Sequence, residues 1–272
     1  MELNREVVTE VPRPSATVVL LRDDRHRGLE VFLLRRHTAS AVLGGAYVFP
    51  GGKLDEADGS DDTLARYVEH AQAWRAYLAE PDLDLHHAVG LYVAAVREVA
   101  EECGIDLQPH TLWPWSRWIT PRQPSVTNRR FDTRFFVTAL PKGQEPVHDD
   151  VEAIESVWLT PRQALEAFWA RDLSLAPPQI MTLVSLIPHK SVHDALVFAQ
   201  SRQPPLILPE PFDDAQGLRT ICYPGDPQHS VPQRAFVGPT RLRFMDGRFE
   251  PVDGLQALLQ PQPLSPDEQR HE

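Results

Sequence analysis

One short acidic run limits what this chain can be more than any other feature of the sequence. It spans residues 97–104 and reads REVAEECG. In a helix, Glu98, Glu101 and Glu102 would share one face, where like charges at this spacing repel one another. Either water solvates that face, or a bound divalent cation offsets the repulsion, because Mg²⁺ and Mn²⁺ prefer oxygen ligands.

The pattern around the run favours the second interpretation. Asp84 is a good N-cap for a helix that we predict over residues 85–103. Val89, Val93 and Val96 form an apolar stripe, yet the opposite side carries Leu91 as well as the glutamates. A solvent-exposed helix would be polar along that whole side. We therefore expect both sides to be covered, with the carboxylates directed into a cleft.

A glycine turn upstream is a natural partner for this helix. Residues 15–22 and 29–36 have the β-branched, apolar character of strands and are predicted to form a hairpin. A short strand over residues 46–49 then runs into Pro50, Gly51 and Gly52. Glycine has no Cβ, so its backbone can approach a ligand closely. A carbonyl of this turn, the glutamates and substrate phosphates together could complete the shell of a cation.

The remainder of the chain has the pattern of alternating strands and helices. Strands are predicted over residues 113–119, 130–137 and 156–159, and helices over 61–80, 161–169, 178–187 and 191–202. An acidic loop occupies residues 145–155. Four strand arginines, Arg35, Arg36, Arg130 and Arg134, are either surface charges or groups that hold phosphates or a nucleotide ring, since guanidinium suits both ligands.

Composition excludes several classes of function. The net charge of −11 argues against a nucleic-acid partner. No apolar run is long enough to span a membrane, and residues 1–6 lack the apolar core of a signal peptide. Two cysteines give neither a disulfide framework nor a zinc spacing, so we expect a reducing, cytoplasmic location.

The acidic run and the glycine turn together resemble the signature of the Nudix family. That signature is a glycine, five residues, an acid, and then Arg-Glu, two residues, Glu-Glu, one residue, Gly and an aliphatic residue. The matching positions are Gly52, Asp58, Arg97, Glu98, Glu101, Glu102, Gly104 and Ile105. The chain departs from it in two ways: Asp58 stands where the family usually has Glu, and residues 59–96 replace a seven-residue gap.

The resemblance implies an α/β fold, a Nudix-type α/β/α sandwich with a mixed sheet. It further implies Mg²⁺ or Mn²⁺ held by Glu98, Glu101, Glu102 and a carbonyl of the glycine turn, Gly52 being our choice. Arg97 matches the arginine that orients these carboxylates. The general base varies across the family and would be Glu101 or a loop acid, for which Glu152 is the first candidate. We assign substrate binding to Arg35, Gly51, Arg130 and Arg134.

A long insertion inside the signature is similar to the acyl-coenzyme A diphosphatase branch of the family. Residues 130–137, 175–179 and 223–226 also resemble that branch. The implied activity is metal-dependent hydrolysis of the diphosphate in a nucleoside diphosphate linked to another group, with coenzyme A or acyl-coenzyme A as the small-molecule substrate. The alternatives are an ADP-ribose or nucleotide-sugar diphosphatase and a non-catalytic nucleotide-binding sensor.

The expected organisation is a Nudix domain over residues 10–202 followed by a proline-rich, irregular C-terminal extension over 203–272. Within the domain, residues 59–84 form a helical insertion that either covers the cleft as a lid or packs at a homodimer interface. The extension either wraps the domain or mediates an oligomer, and residues 260–272 are expected to be disordered.

Overall fold

A mixed β-sheet with helices on both faces forms the body of the molecule. A computed structural model describes residues 3–40 and 43–264 of the chain. We expect disorder over residues 260–272, of which residues 265–272 lie outside the described residues. Among the residues described, no helix has both the length and the apolar character needed to cross a bilayer.

The central strand of this sheet is β1, which pairs antiparallel with β2 and β4 and parallel with β6. Strands β3 and β7 pair with β2, whereas β5 joins β6 to the short edge strand β8. The strands are β1 (Arg13–Asp24), β2 (Gly28–Arg36), β3 (Tyr47–Val48), β4 (Gly51–Lys53), β5 (Trp113–Ile119), β6 (Phe131–Ala139), β7 (Ala153–Leu159) and β8 (Leu206–Ile207). The predicted hairpin and the mixed α/β sheet are thus confirmed.

The helices agree closely with the sequence patterns. They are α1 (Asp61–Arg66), α2 (Val68–Leu78), α3 (Leu85–Cys103), α4 (Pro161–Ala170), α5 (Pro177–Leu186), α6 (Val192–Gln200) and α7 (Leu255–Leu259). Helix α3 has the predicted bounds because the Asp84 carboxylate accepts from the N–H of His87 at 2.9 Å, and Gly104 ends the helix with a φ of +67°. The helix predicted over residues 61–80 is interrupted at Tyr67, which separates α1 from α2.

The two faces of the sheet support two apolar cores. Helix α3 and the insertion cover one face, and helices α4, α5 and α6 cover the other. Side chains of β2 alternate between these cores: Phe32 and Leu34 point towards α3, whereas Val31 and Leu33 point away from it. This alternation matters for the site described below.

The insertion packs on its own chain. Helix α2 buries Ala71, Trp74 and Leu78, and the Trp74 ring stacks on Tyr92 of α3 with the ring centroids 4.6 Å apart. At the end of α2, the Glu80 carboxylate pairs with Arg134 of β6. The segment therefore covers the α3 face of the sheet towards β5 and β6, rather than forming the lid that the sequence led us to consider. A role in dimer formation stays a prediction.

The C-terminal extension is more regular than expected. Residues 210–251 form a second, four-stranded antiparallel sheet made of β9 (Glu210–Asp213), β10 (Arg219–Cys222), β11 (Arg241–Met245) and β12 (Arg248–Pro251). Tyr223, Leu242 and Phe249 are fully buried and belong to the same core as α4 and α5. The extension thus wraps the domain and completes one of its cores.

Candidate active site

The glycine turn lies directly against the acidic end of α3. The backbone N–H of Gly51 donates to Oε2 of Glu102 at 2.9 Å. A Cβ on Gly52 would collide with the carboxylate of Glu98, and one on Gly51 would collide with the carbonyl oxygen of Ala16 in β1. Glycine is therefore required at position 51, where the neighbours are backbone atoms, whereas a side chain at position 52 would displace the Glu98 carboxylate. This contact brings the two halves of the signature together across the insertion.

Arg97 joins the same two halves from the other side. Its Nε and Nη2 donate to the two carboxylate oxygens of Asp58 at 3.0 and 2.8 Å, and Nη2 also donates to the carbonyl of Lys53. Its Nη1 donates to Glu98 and to Glu101, each at 3.0 Å. Hydrogen bonding to Asp58 is the main cause that raises the pKa of Arg97. Arg97 therefore stays charged and fixes three carboxylates at once.

The three glutamates differ in exposure. Glu102 is 5% exposed, the Glu98 side chain is 15% exposed and the Glu101 side chain is 59% exposed. Burial raises the pKa of Glu102 to about 7, against the opposing effect of the hydrogen bond from Gly51. Burial also raises the pKa of Glu98. Two buried carboxylates held close together destabilise one another as anions, and a cation would relieve that repulsion.

The carboxylates of Glu98, Glu101 and Glu102 do not form a metal-binding group in this structure. In the part of the chain that the structure describes, no three Asp, Glu, His or Cys side chains are grouped as a metal site. Arg97 holds one oxygen each of Glu98 and Glu101, and the backbone of Gly51 holds one oxygen of Glu102. The donor chemistry nevertheless fits a hard divalent cation, because all three side chains offer carboxylate oxygens within one turn of α3.

Arg36, rather than the predicted Arg35, is the arginine next to these carboxylates. It follows Leu34 on the α3 side of β2, and its positive charge lowers the pKa of Glu102. Arg35 points to the opposite side of β2, where its Nη1 donates to Glu155 at 3.2 Å. Assigning Arg35 to substrate binding was therefore wrong about the side of the strand. Arg36, which we had considered without selecting it, lies instead beside Glu102 and Glu152.

Glu152 comes close to the same cluster. Its carboxylate lies 3.7 Å from Nη2 of Arg36, and its negative charge raises the pKa of both Glu98 and Glu102. The loop that carries it is shaped by Asp149, whose carboxylate accepts from the backbone N–H groups of residues 151–153. Glu152 is exposed enough to meet a substrate or a water molecule, because its side chain is 59% accessible.

The other two arginines that we had assigned to the substrate are engaged elsewhere. Arg134 is 3% exposed, and its Nε and Nη2 donate to the Glu80 carboxylate at 2.9 and 2.5 Å. Arg130 donates to the backbone carbonyls of Thr120 and Glu10. These contacts bind the insertion and the N-terminal segment to the sheet. Neither arginine is recorded in contact with the glutamates of α3, so their assignment to substrate binding stays a prediction that these contacts do not support.

Comparisons with known proteins identify the family of this chain. The family described as the NUDT19 Nudix domain matches residues 106–186, immediately after α3. A human protein named acyl-coenzyme A diphosphatase NUDT19 is 27% identical, over 70% of this chain and 69% of its own. A Gallus gallus protein of the same name is 34% identical, over 78% of each chain. The chain belongs to the Nudix family.

A solved structure supports the same placement. A Nudix hydrolase from Alicyclobacillus acidocaldarius superimposes with a TM-score of 0.56 at 26% identity, covering 72% of this chain and 98% of its own. The α/β/α sandwich predicted from the sequence is therefore confirmed, as is the prediction of an enzyme. Nudix hydrolases act on small-molecule diphosphates and generally use divalent metal ions.

Proposed function

We propose that this Nudix hydrolase cleaves the diphosphate of coenzyme A or of an acyl-coenzyme A. Water would attack one phosphorus, and the broken P–O–P bond would leave a phosphopantetheine-type product and an adenosine bisphosphate. The names of the human and Gallus gallus relatives support this substrate, together with the three stretches that resemble the acyl-coenzyme A diphosphatase branch. Mg²⁺ or Mn²⁺ is the proposed cofactor.

One observation carries the proposal: an insertion interrupts the signature, yet the fold reunites its parts. Asp58 and Gly52 from the first half both contact residues of α3, through Arg97 and Glu98 respectively. Asp58 and Arg97 keep a bidentate ion pair across this gap, and Arg97 in turn holds two of the three glutamates. The intact arrangement therefore favours turnover over the sensor alternative.

The chain's residues take distinct parts in the proposed reaction. Glu98, Glu101 and Glu102 would hold the cation with the carbonyl of Gly52, and Arg97 would position the first two. A cation bound there would screen the phosphate charge and lower the pKa of a bound water. Arg97 engages one carboxylate oxygen of Glu98 and one of Glu101, so the second oxygen of each could face the cation while Arg97 still holds the side chain.

Glu152 is our proposed general base. It is exposed, and its charge acts on the α3 glutamates, so a water in the cleft would lie within reach of it. Arg36 is placed to hold Glu152 before the substrate enters and to donate to a substrate phosphate afterwards. Its Nε is buried without a hydrogen-bond partner among the described residues, which leaves one donor available. Glu101 is the alternative base.

The deciding experiment is product analysis with a panel of diphosphates. Purified protein with Mg²⁺ or Mn²⁺ should release a 3′-phosphorylated adenosine nucleotide from coenzyme A, and Glu101→Gln, Glu102→Gln protein should not. Faster cleavage of ADP-ribose or a nucleotide sugar would support the nearest rival function. Binding without cleavage of any compound would support the sensor.

We extend the proposal to cellular context. Both cysteines, Cys103 and Cys222, are buried free thiols, which supports a reducing, cytoplasmic location. The acidic charge supports a small-molecule substrate and no nucleic-acid partner. A homodimer stays a proposal, for which sedimentation equilibrium of the purified chain is the direct measurement.

A further inference from the structure

The proposed base, Glu152, has an exposed side chain on a backbone that is held on both sides. Its N–H donates to both carboxylate oxygens of Asp149, at 3.0 and 3.2 Å. Its carbonyl accepts from the N–H of His37, which follows Arg36 at the end of β2, at 2.9 Å. Because the Glu152 side chain is 59% exposed, these backbone contacts largely determine where its carboxylate lies.

The Asp149 carboxylate binds the backbone of its own turn. Its Oδ1 also accepts from the N–H groups of Val151 and Ala153, at 3.1 and 3.0 Å. Aspartate favours such turns because its short side chain reaches backbone N–H groups that follow it in the chain. Against the raising effect of burial, these N–H groups lower the pKa of Asp149. The side chain therefore accepts these hydrogen bonds as a carboxylate at neutral pH.

The turn contains a backbone conformation that most residues avoid. Asp150 has a φ of +60°, in the left-handed region, where residues other than glycine are uncommon. Such a residue costs free energy and persists where surrounding contacts fix it, which happens frequently at active sites. The Asp149 carboxylate supplies these contacts, because it holds the N–H groups of the two residues that follow Asp150.

The same turn lies against the acidic end of α3. The N–H of Val147 donates to the carbonyl of Cys103, the last residue of α3, at 3.1 Å. Burial, and then the charges of Glu102 and Asp149, raise the pKa of the Cys103 thiol. Asp149 is thus close enough for its charge to act at the end of α3. A shift of the turn would therefore move Glu152 relative to the proposed metal ligands.

We propose that Asp149 is a positioning residue for hydrolysis, which fixes Glu152 through the backbone of the turn and does not itself touch the substrate. The inference rests on the proposed function and on Glu152 as its general base. A base must lie within hydrogen-bond reach of the water that it activates, and a misplacement of about 1 Å can cost about 100-fold in rate. Asp149 therefore acts on kcat rather than on substrate binding.

Steady-state kinetics test this role, with Mg²⁺ or Mn²⁺ and coenzyme A, or whichever compound of the diphosphate panel is cleaved fastest. Asp149→Ala removes every acceptor, so kcat should fall by about 10- to 100-fold while KM changes by less than about threefold. Asp149→Asn keeps one acceptor oxygen and should stay within about threefold of the unaltered kcat. A full kcat in Asp149→Ala would overturn the proposal, and equal losses in both variants would assign the effect to charge rather than to positioning.

Asp150→Asn is the matched control, because it removes an exposed charge from the same turn and keeps the left-handed conformation accessible. It should leave kcat unchanged. A double-mutant cycle then separates positioning from a general loss of structure. Adding Asp149→Ala to Glu152→Gln should lower kcat by less than about twofold further. Losses that multiply, or a full kcat in Glu152→Gln alone, would show that Asp149 does not act through Glu152.

Amide hydrogen exchange gives a readout that needs no activity. In Asp149→Ala, the amides of residues 151–153 should exchange at least about tenfold faster than in the unaltered protein, whereas those of residues 90–96 in α3 should not change. Unchanged exchange over residues 151–153 would overturn the proposal, because other contacts would then hold the turn. The exchange result stands even if the unaltered protein cleaves no compound of the panel, so the two failures are distinguishable.

Discussion

A single ion pair between Asp58 and Arg97 connects the two halves of the interrupted signature. Both carboxylate oxygens of Asp58 are used, and the residue is 4% exposed. At the scale of single residues, function depends on individual hydrogen-bond partners. The arginine that Asp58 holds also sets the positions of Glu98 and Glu101. Charge alone would not suffice, because the geometry is bidentate.

Replacing Asp58 with Asn should therefore lower kcat/KM by about 10- to 100-fold, as expected for residues that orient metal ligands. Arg97 would lose the partner that keeps it aligned. Steady-state kinetics on coenzyme A measures this effect. Asp55→Asn is the matched control, because Asp55 is exposed and lies 3.5 Å from Arg97. Equal losses in both variants would contradict the role given to Asp58.

The two neighbouring arginines of β2 should behave differently. Arg36→Ala should reduce kcat/KM by about 10- to 100-fold, equivalent to losing one charged hydrogen bond of about 1.5–3 kcal/mol. Arg35→Ala should change it by less than about threefold, since Arg35 pairs with the exposed Glu155 on the other side of the strand. The reverse order of the two effects would show that the substrate binds on the opposite face.

Stability of the metal-free protein should depend on pH through Glu102. Its pKa is raised from 4.5 to about 7, so the folded state binds more protons than the unfolded state between these values. The free energy of unfolding should therefore fall as pH rises from about 4.5 to 7, by on the order of 3 kcal/mol from this group. Urea unfolding with a chelator present measures it.

Glu102→Gln is the control for that titration, and it should flatten this part of the pH profile. Adding Mg²⁺ or Mn²⁺ should stabilise the unaltered protein more at pH 8 than at pH 5, because the ionised carboxylate is the ligand. A profile that is identical in Glu102→Gln would assign the titration to another group.

At the scale of elements, the insertion is attached by a compact network of charges. Glu80 forms ion pairs with Arg134 and Arg117, and Asp132 forms ion pairs with the same two arginines. The network joins the end of α2 to β5 and β6. Removal of one member would leave a buried charge without its partner, which costs more than the loss of an exposed pair.

Glu80→Ala should accordingly reduce the free energy of unfolding by about 3–5 kcal/mol. Chemical denaturation monitored by tryptophan fluorescence is the measurement, and kcat of the remaining folded protein should change little. Glu69→Ala, at an exposed position on the same helix, should cost less than about 0.5 kcal/mol. A small effect of Glu80→Ala would mean that the arginines find other partners.

Sequence patterns predicted those elements whose signals are local. Helix α3 has its predicted bounds because Asp84 and Gly104 mark its two ends. The face of β2 on which Arg35 or Arg36 lies could not be predicted from the sequence. Strand β2 is apolar on both faces, so the alternation of its side chains does not distinguish one face from the other. The burial of Arg134 depends on Glu80, which lies more than fifty residues away in sequence. Such a pairing is visible only in the folded chain.

At the scale of the whole molecule, the extension is part of the domain rather than an appendage. Tyr223, Leu242 and Phe249 are fully buried in the core that α4, α5 and α6 also form. Full burial of each such side chain stabilises a fold by about 1.5–3 kcal/mol, so the three together are a large share of typical net stability. The proline content that suggested an irregular tail instead reflects short strands and tight turns.

A chain that ends at Ser201 should therefore unfold at least about 10 °C below the complete chain, or aggregate, since it exposes one side of that core. Differential scanning calorimetry of both proteins is the measurement, and the complete chain should show one cooperative transition. A stable, soluble truncated protein would show that the extension folds independently.

The two ends of the insertion touch each other. Nδ1 of His86 lies 2.9 Å from the carbonyl of Gly59, and Gly90 packs closely against Gly59. An inserted segment whose two ends lie together can change in length without displacing the rest of the fold, because loop-closure entropy grows only slowly with length. A different helix pair or a larger inserted domain could therefore replace residues 61–83 while Asp58 still meets Arg97, provided that it supplies a carboxylate for Arg134 and apolar cover for Tyr92.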